Sequence, residues 1–285
     1  MRLTPRTILW LLRRSVLGAL DDNCFGIAKA AAYSALLSFF PVLASAATIL
    51  LETNAGFFSN ILVRSLSEIV PPGTEDLVLQ QFRVSGSRPL AVLVVAAFVS
   101  IFAASGVIKS LIEGFQAAYR VPRDRGIVHN SLLAMALVLL AAVPLVGASL
   151  LILFGRQVET VVMGWLRVDP MWTPLAWVWA LLSRIAQYVV AFGTTATVSA
   201  LLYYYGPYRK QRWRFVWPGA ILATLLWLGA TSAFAWYAVH IAHYNVMYGS
   251  VSASIALLVW MYVLAIVALI GCEFNAEYER ASMLR

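Results

Sequence analysis

From Phe215 to Cys272 the chain runs 58 residues without one Asp, Glu, Lys or Arg. A hydrocarbon slab about 30 Å thick is crossed by about 20 helical residues, so this run fits two crossings joined by a tight turn. The turn falls between His240 and Ser250, where HIAHYNVMYGS gathers polar and interface-favouring residues between apolar blocks. The spacing predicts a membrane helical hairpin with spans over 215–242 and 249–273.

Composition extends this reading to the whole chain. Hydrophobic residues make up 61% and charged residues 12%, with mean hydropathy +0.80; soluble domains carry about 25% charged residues. The fold class is therefore all-α, a polytopic membrane protein. Gaps between charges place four further spans at 24–51, 89–113, 129–155 and 173–205. With the hairpin these make six transmembrane helices in one membrane domain covering 1–285. Residues 1–23 form an amphipathic helix, 52–88 a helical extracytoplasmic loop broken at Pro71-Pro72-Gly73, and 274–285 a tail. Arg13 and Arg14 interrupt the first apolar stretch, so the first span reads as retained rather than as a cleaved signal. Two cysteines, Cys24 and Cys272, are too few for a disulfide framework and read as packing residues.

The net charge of +8 is distributed as a topology signal rather than as a nucleic-acid footprint. Lys and Arg number five up to and including Lys29 near the start of the first span, then three, four (counting Lys109 at the end of the second span), two, four and none in successive loops, and two in the tail. The rule that basic residues stay inside puts both termini in the cytoplasm. Contact of the basic face with anionic headgroups is compatible with the same pattern.

Several polar residues fall at or inside the expected boundaries. In 6–20, Ile8, Leu9, Leu12, Val16 and Leu20 fall near one stripe with Arg6, Arg13 and Arg14 off it, as for a helix lying in the cytoplasmic interface. Asp21, Asp22 and Asn23 supply N-cap chemistry for the first span. That span carries Lys29, a polar strip of Tyr33, Ser34 and Ser38, and a predicted kink at Pro41. Ala96, Ser100 and Ala104 permit close helix approach, within the chain or between copies. Lys109 and Glu113 sit at i, i+4, and Pro144 predicts a second bend. Arg184, about a third of the way into the fourth span, is expected to face the bundle interior or a wet cavity with Tyr188 on its face. Glu273 and Asn275 close the sixth span. Intramembrane charge marks functional sites by default, so the candidate cavity residues are Lys29, Tyr33, Ser38, Lys109, Glu113, Arg184, Tyr188, Glu273 and Asn275.

No catalytic residue, metal site or cofactor is predicted. His240 and His243 are better explained as interface residues than as ligands, and the sequence holds neither a phosphate-binding glycine loop nor a nucleophile elbow. Nucleic acid is not an expected partner.

The segments AAAYSALLSFFPVLASAATIL (Ala30 to Leu50), GVIKSLIEGFQAAYRVPRDRG (Gly106 to Gly126) and the stretch from Tyr203 to Arg280 resemble the YihY/BrkB family of bacterial inner-membrane proteins. Tyr248-Gly249-Ser250 and the closing Gly271, Glu273 and Asn275 carry the likeness most specifically. The resemblance implies six spans, cytoplasmic termini, an inner (plasma) membrane location and an envelope role; some members are linked to serum resistance and to export of envelope lipid. The family's older label, ribonuclease BN, is not expected to apply, because the true enzyme of that name resembles zinc phosphodiesterases with a dense His and Asp motif absent from this sequence. The expected function is a transporter or lipid-handling protein with a polar cavity between helices, its partners being membrane lipids and an envelope lipid or small-molecule substrate. The alternative is a non-transporting envelope scaffold.

Overall fold

The computed structural model describes residues 5–52, 90–121, 126–166, 176–240 and 252–283. They form seven helices: α1 Pro5–Asp21, α2 Cys24–Glu52, α3 Leu90–Ala118, α4 Ile127–Leu166, α5 Ala176–Tyr205, α6 Trp213–His240 and α7 Ser252–Met283. Among the described residues there is no strand. Helices α2 to α7 each contain a segment long and apolar enough to cross a membrane, which makes six. The loop expected over 52–88 and the turn after His240 lie outside the described residues.

Consecutive spans pack side by side from α2 to α7, and α7 returns to pack on α2, closing a ring. Helix α7 also reaches α3, and α1 lies mainly on α7. Because the spans alternate in direction, the start of α2, the end of α3, the start of α6 and the end of α7 meet at one end of the bundle. The main buried core sits there, built from Ala28, Phe115, Tyr203, Val216, Leu269 and Cys272 among others. Phe115 and Tyr203 meet edge to face at 5.2 Å, a geometry aromatic quadrupoles favour.

Close approach in that core depends on missing side chains. A Cβ at Gly219 would lie 2.1 Å from the Gly271 carbonyl oxygen, and one at Gly271 would lie 2.5 Å from the Tyr203 hydroxyl. The Tyr203 hydroxyl donates to the Ala268 carbonyl at 2.7 Å. Lipid offers no hydrophobic drive between helices, so backbone proximity and buried hydrogen bonds must supply it.

Two elements run past their expected bounds. Helix α7 continues to Met283 and α4 to Leu166, so the tail beyond 273 is packed helix. Its polar side chains find partners there, which keeps it ordered. Helix α1 buries Leu11, Ser15 and Ala19 against the bundle and, of the apolar stripe expected at the interface, leaves Ile8, Leu9, Val16 and Leu20 exposed. Size explains the choice, since serine and alanine allow α1 close to α7. At the α1–α2 junction Asn23 has φ 53, the left-handed region that Asn tolerates best after Gly, and its amide occupies the space that a Cβ at Gly26 would fill. Both Pro41 and Pro144 lie inside unbroken helices, as does Pro218.

Gly219→Ala and Gly271→Ala should each lower the thermal unfolding midpoint in detergent, through overpacking worth about 1–3 kcal/mol. Gly193→Ala, with nothing within 4 Å of the added methyl, should leave it unchanged or raise it. Equal behaviour of all three variants would contradict the assigned helix contact.

Candidate functional site at the end of α7

The last three turns of α7 read GCEFNAEYER and place polar groups at every second position: Glu273, Asn275, Glu277 and Glu279. In a helix such spacing puts Glu273 and Glu277 on one face and Asn275 and Glu279 nearly opposite. All four are buried. The segment must therefore be surrounded, and each face meets a different element.

On the first face, α1 supplies the partner. Arg14 Nε lies 3.3 Å from Glu277 Oε2, and Arg280, one turn on, pairs with the other Glu277 oxygen. Arg280 also donates to the Ala118 carbonyl at the end of α3, where a cation complements the helix dipole. Glu273, 0% exposed, accepts from the Cys24 thiol at 3.8 Å. Gly18 of α1 sits directly on this carboxyl, for a Cβ there would lie 3.0 Å from Glu273 Oε2. No Lys or Arg among the described residues forms an ion pair with Glu273.

On the opposite face, Asn275 joins α7 to the start of α6. Its Oδ1 accepts from the Gly219 N–H at 2.7 Å and its Nδ2 donates to the Val216 carbonyl at 2.9 Å. Both backbone groups lie in the first turns of α6, beside Pro218, which has no N–H to offer. Glu279 accepts from Arg209 of the α5–α6 link at 2.7 Å, and the Arg209 guanidinium lies 5.2 Å from the centre of the Tyr119 ring. Burial pushes the Tyr119 phenol above its usual range, with Arg209 pulling the other way. Cys24 and Cys272 are free, buried thiols.

Of the sequence-derived candidates, Glu273 and Asn275 meet in this cluster and the rest do not join it. Ser38 is buried but donates to the Ala35 carbonyl of its own helix at 2.9 Å, whereas Tyr33 is 62% exposed. Five residues apart, the two cannot share a helix face, so the expected strip divides. Lys29 and Glu113 are exposed. Lys109 is half-buried, its ammonium 5.5 Å from the centre of the Phe102 ring. Arg184, expected to face the bundle interior or a wet cavity, is exposed rather than enclosed by the bundle, and Tyr188 is 77% exposed. Both lie in the first half of α5, where the described residues from Leu181 to Val190 are exposed apart from half-buried Gln187. Reasoning from sequence passed over Arg14, Arg209, Glu277, Glu279 and Arg280. The signal that could have found them is the placement of acids on opposite faces of one helix, which a solvated amphipathic tail would not require.

Among the described residues no three His, Cys, Asp or Glu side chains are grouped to hold a metal ion. Comparison with known proteins places the chain. The family described as Virulence factor BrkB matches residues 16–285. The chain belongs to the BrkB family. It is similar to the putative ribonuclease-like protein YfkH of Bacillus subtilis, at 25% identity over 89% of each chain. It also resembles a UPF0761 membrane protein of Alteromonas mediterranea, at 28% identity over 86% of this chain and 75% of that one. A UPF0761 membrane protein of Prosthecochloris aestuarii is 42% identical over 74 residues, 26% of this chain and 18% of the other. No solved structure matches. In this BrkB family member the residues that carry the resemblance, Gly271, Glu273 and Asn275, are the ones that hold α7 to α1, α2, α5 and α6.

The two sides of the ion-pair network should respond unequally to substitution. Glu277→Gln removes the carboxylate shared by Arg14 and Arg280 and should destabilise by about 3 kcal/mol, the scale of a broken buried pair. Arg14→Gln, at a half-exposed position, should cost about 1 kcal/mol or less. Thermal unfolding of both variants in one detergent checks the order, and a larger loss from Arg14→Gln would refute it.

Proposed function

We propose that this integral membrane protein resides in the bacterial inner membrane with both termini in the cytoplasm, and that it moves or handles an envelope lipid or small-molecule substrate. The observation that carries the reading is the unequal packing of the bundle along its length. At the α7 terminus the interior is filled and tied by ion pairs among α1, α7 and the α5–α6 link. Along Leu181 to Val190 of α5 the described residues are exposed apart from Gln187, with Arg184 and Tyr188 among them. A bundle enclosed at the α7 terminus and exposed along the first half of α5 suits a substrate path that opens to one side at a time. The charge count directs the enclosed end to the cytoplasm.

Ion pairs suit a closure that must open. Arg14 and Arg209 are partly exposed, so both can exchange their carboxylates for water when α1 or the link moves. Glu277 and Glu279 then become the polar groups a passing headgroup or cation would meet. Ribonuclease chemistry, which the name of the Bacillus relative evokes, is not part of this proposal, since the described residues offer no converging metal-ligand set.

The test joins access and function. A Tyr188→Cys variant should react with a membrane-impermeant maleimide added from the extracytoplasmic side, while buried Cys24 and Cys272 stay unlabelled. Arg184→Ala and Glu273→Ala should each abolish the envelope phenotype that the wild-type gene restores in a deletion strain, while the proteins remain folded by gel filtration. Full function of both folded variants would exclude the site, and would favour a scaffold that never opens.

A further inference from the structure

Helix α1 presents two unlike faces. Leu11, Ser15 and Ala19 dock on the bundle, and Arg14 and Gly18 meet Glu277 and Glu273. The opposite face carries Arg6, Leu9, Arg13, Leu17 and Leu20, at spacings of three and four residues, with Val16 beside them. All of these are exposed, Leu9 at 72%. A groove of about 710 Å³ runs along this face from Arg6 to Leu17, with Leu9, Leu12 and Val16 in its wall. Water is a poor solvent for a row of exposed leucines. Something apolar covers them.

The charge on this face says what. Arg6 and Arg13 make no ion pair among the described residues, although Arg14 does. Two free guanidiniums alternating with leucines match a phosphate layer over acyl chain, the pattern of helices that lie in the membrane interface. The position agrees, because α1 turns at Asp22 and Asn23 directly into the first span at Cys24. Arg209, Lys210, Arg212 and Arg214 gather at the same end of the bundle. We propose that the outward face of α1 is a binding site for anionic phospholipid at the bilayer surface, with Arg6 and Arg13 on the phosphate and Leu9, Val16 and Leu17 on the acyl chain.

The site is held in register by the docked face. Trp10 lies on the groove, the Arg14 guanidinium stacks 4.9 Å from its ring centre, and the same Arg14 binds Glu277. A lipid seated along Leu9 and Trp10 therefore touches the side chain that helps tie α1 to α7. The proposal does not depend on transport.

The experiment places a bimane label at Leu9→Cys, under conditions where the buried Cys24 and Cys272 do not react, in bilayers of phosphatidylcholine containing brominated phosphatidylglycerol or brominated phosphatidylcholine. Quenching gives the relative binding constant of the two lipids at α1. Phosphatidylglycerol should be preferred, and Arg13→Gln should reduce the preference about fivefold, the effect of one basic residue at an anionic surface. The double variant Arg6→Gln/Arg13→Gln should remove it, and Arg13→Lys should retain it. Inorganic phosphate at matched ionic strength should not displace the lipid. Equal constants in the wild type, a preference that survives the double variant, or displacement by phosphate would overturn the proposal. So would absence of quenching by both lipids together with cross-linking through residue 9, since a second copy would then cover the face.

Discussion

The burial of four polar side chains on opposite faces of one helix is the constraint from which the rest of this structure follows. A helix that ends in Glu273, Asn275, Glu277 and Glu279, all buried, cannot lie at the margin of a bundle, because one face would then meet lipid with a carboxylate on it. It must be enclosed. Enclosure from one side brings α1 with Arg14 and Gly18, and from the other the start of α6 and the Arg209 link. Arg280 then reaches the end of α3. The ring of six spans is thus closed by polar contacts at one end.

Those contacts need close backbones, and glycine provides them. Gly219 and Gly271 let α6 and α7 approach until carbonyl oxygens occupy the space of absent methyl groups. This proximity brings the Gly219 N–H and the Val216 carbonyl within reach of one asparagine amide. Packing and polar satisfaction are therefore one arrangement. Away from this end the described residues of α5 from Leu181 to Val190 are exposed apart from Gln187. The contrast between the enclosed end of α7 and the exposed stretch of α5 is the basis of the functional proposal.

Helix α1 packs on that enclosed end. One face ends on Glu273 and Glu277, the other on exposed leucines and two arginines without an ion pair among the described residues. Hydropathy along α1 anticipates an amphipathic helix whose apolar stripe faces away from the protein. The stripe through Leu9, Val16 and Leu20 is the one left exposed, because small Ser15 and Ala19 allow tighter docking than leucines would. In a soluble protein the largest residues face the core. At a bilayer surface lipid can take them, and the protein keeps the small ones.

The six crossings were legible from the sequence because hydrocarbon imposes a length and a polarity on every segment within it. The same one-dimensional rule located Glu273 and Asn275 as unusual. It could not place Arg184, whose surroundings depend on whether neighbouring helices pack against the first half of α5. Nor could it group Lys29, Tyr33 and Glu113, whose exposure follows from how α2 and α3 face the other helices. The partnership of Arg14 with Glu277 joins residues hundreds of positions apart, and that of Arg209 with Glu279 crosses from the α5–α6 link to the end of α7. The sequence by itself determined that this chain crosses a membrane six times, since burial of backbone in lipid leaves helices as the only answer. Tertiary structure alone decided which charged residues are enclosed and which are exposed, because that choice rests on the facing of helices around α7, and helix facing is set by packing between distant segments.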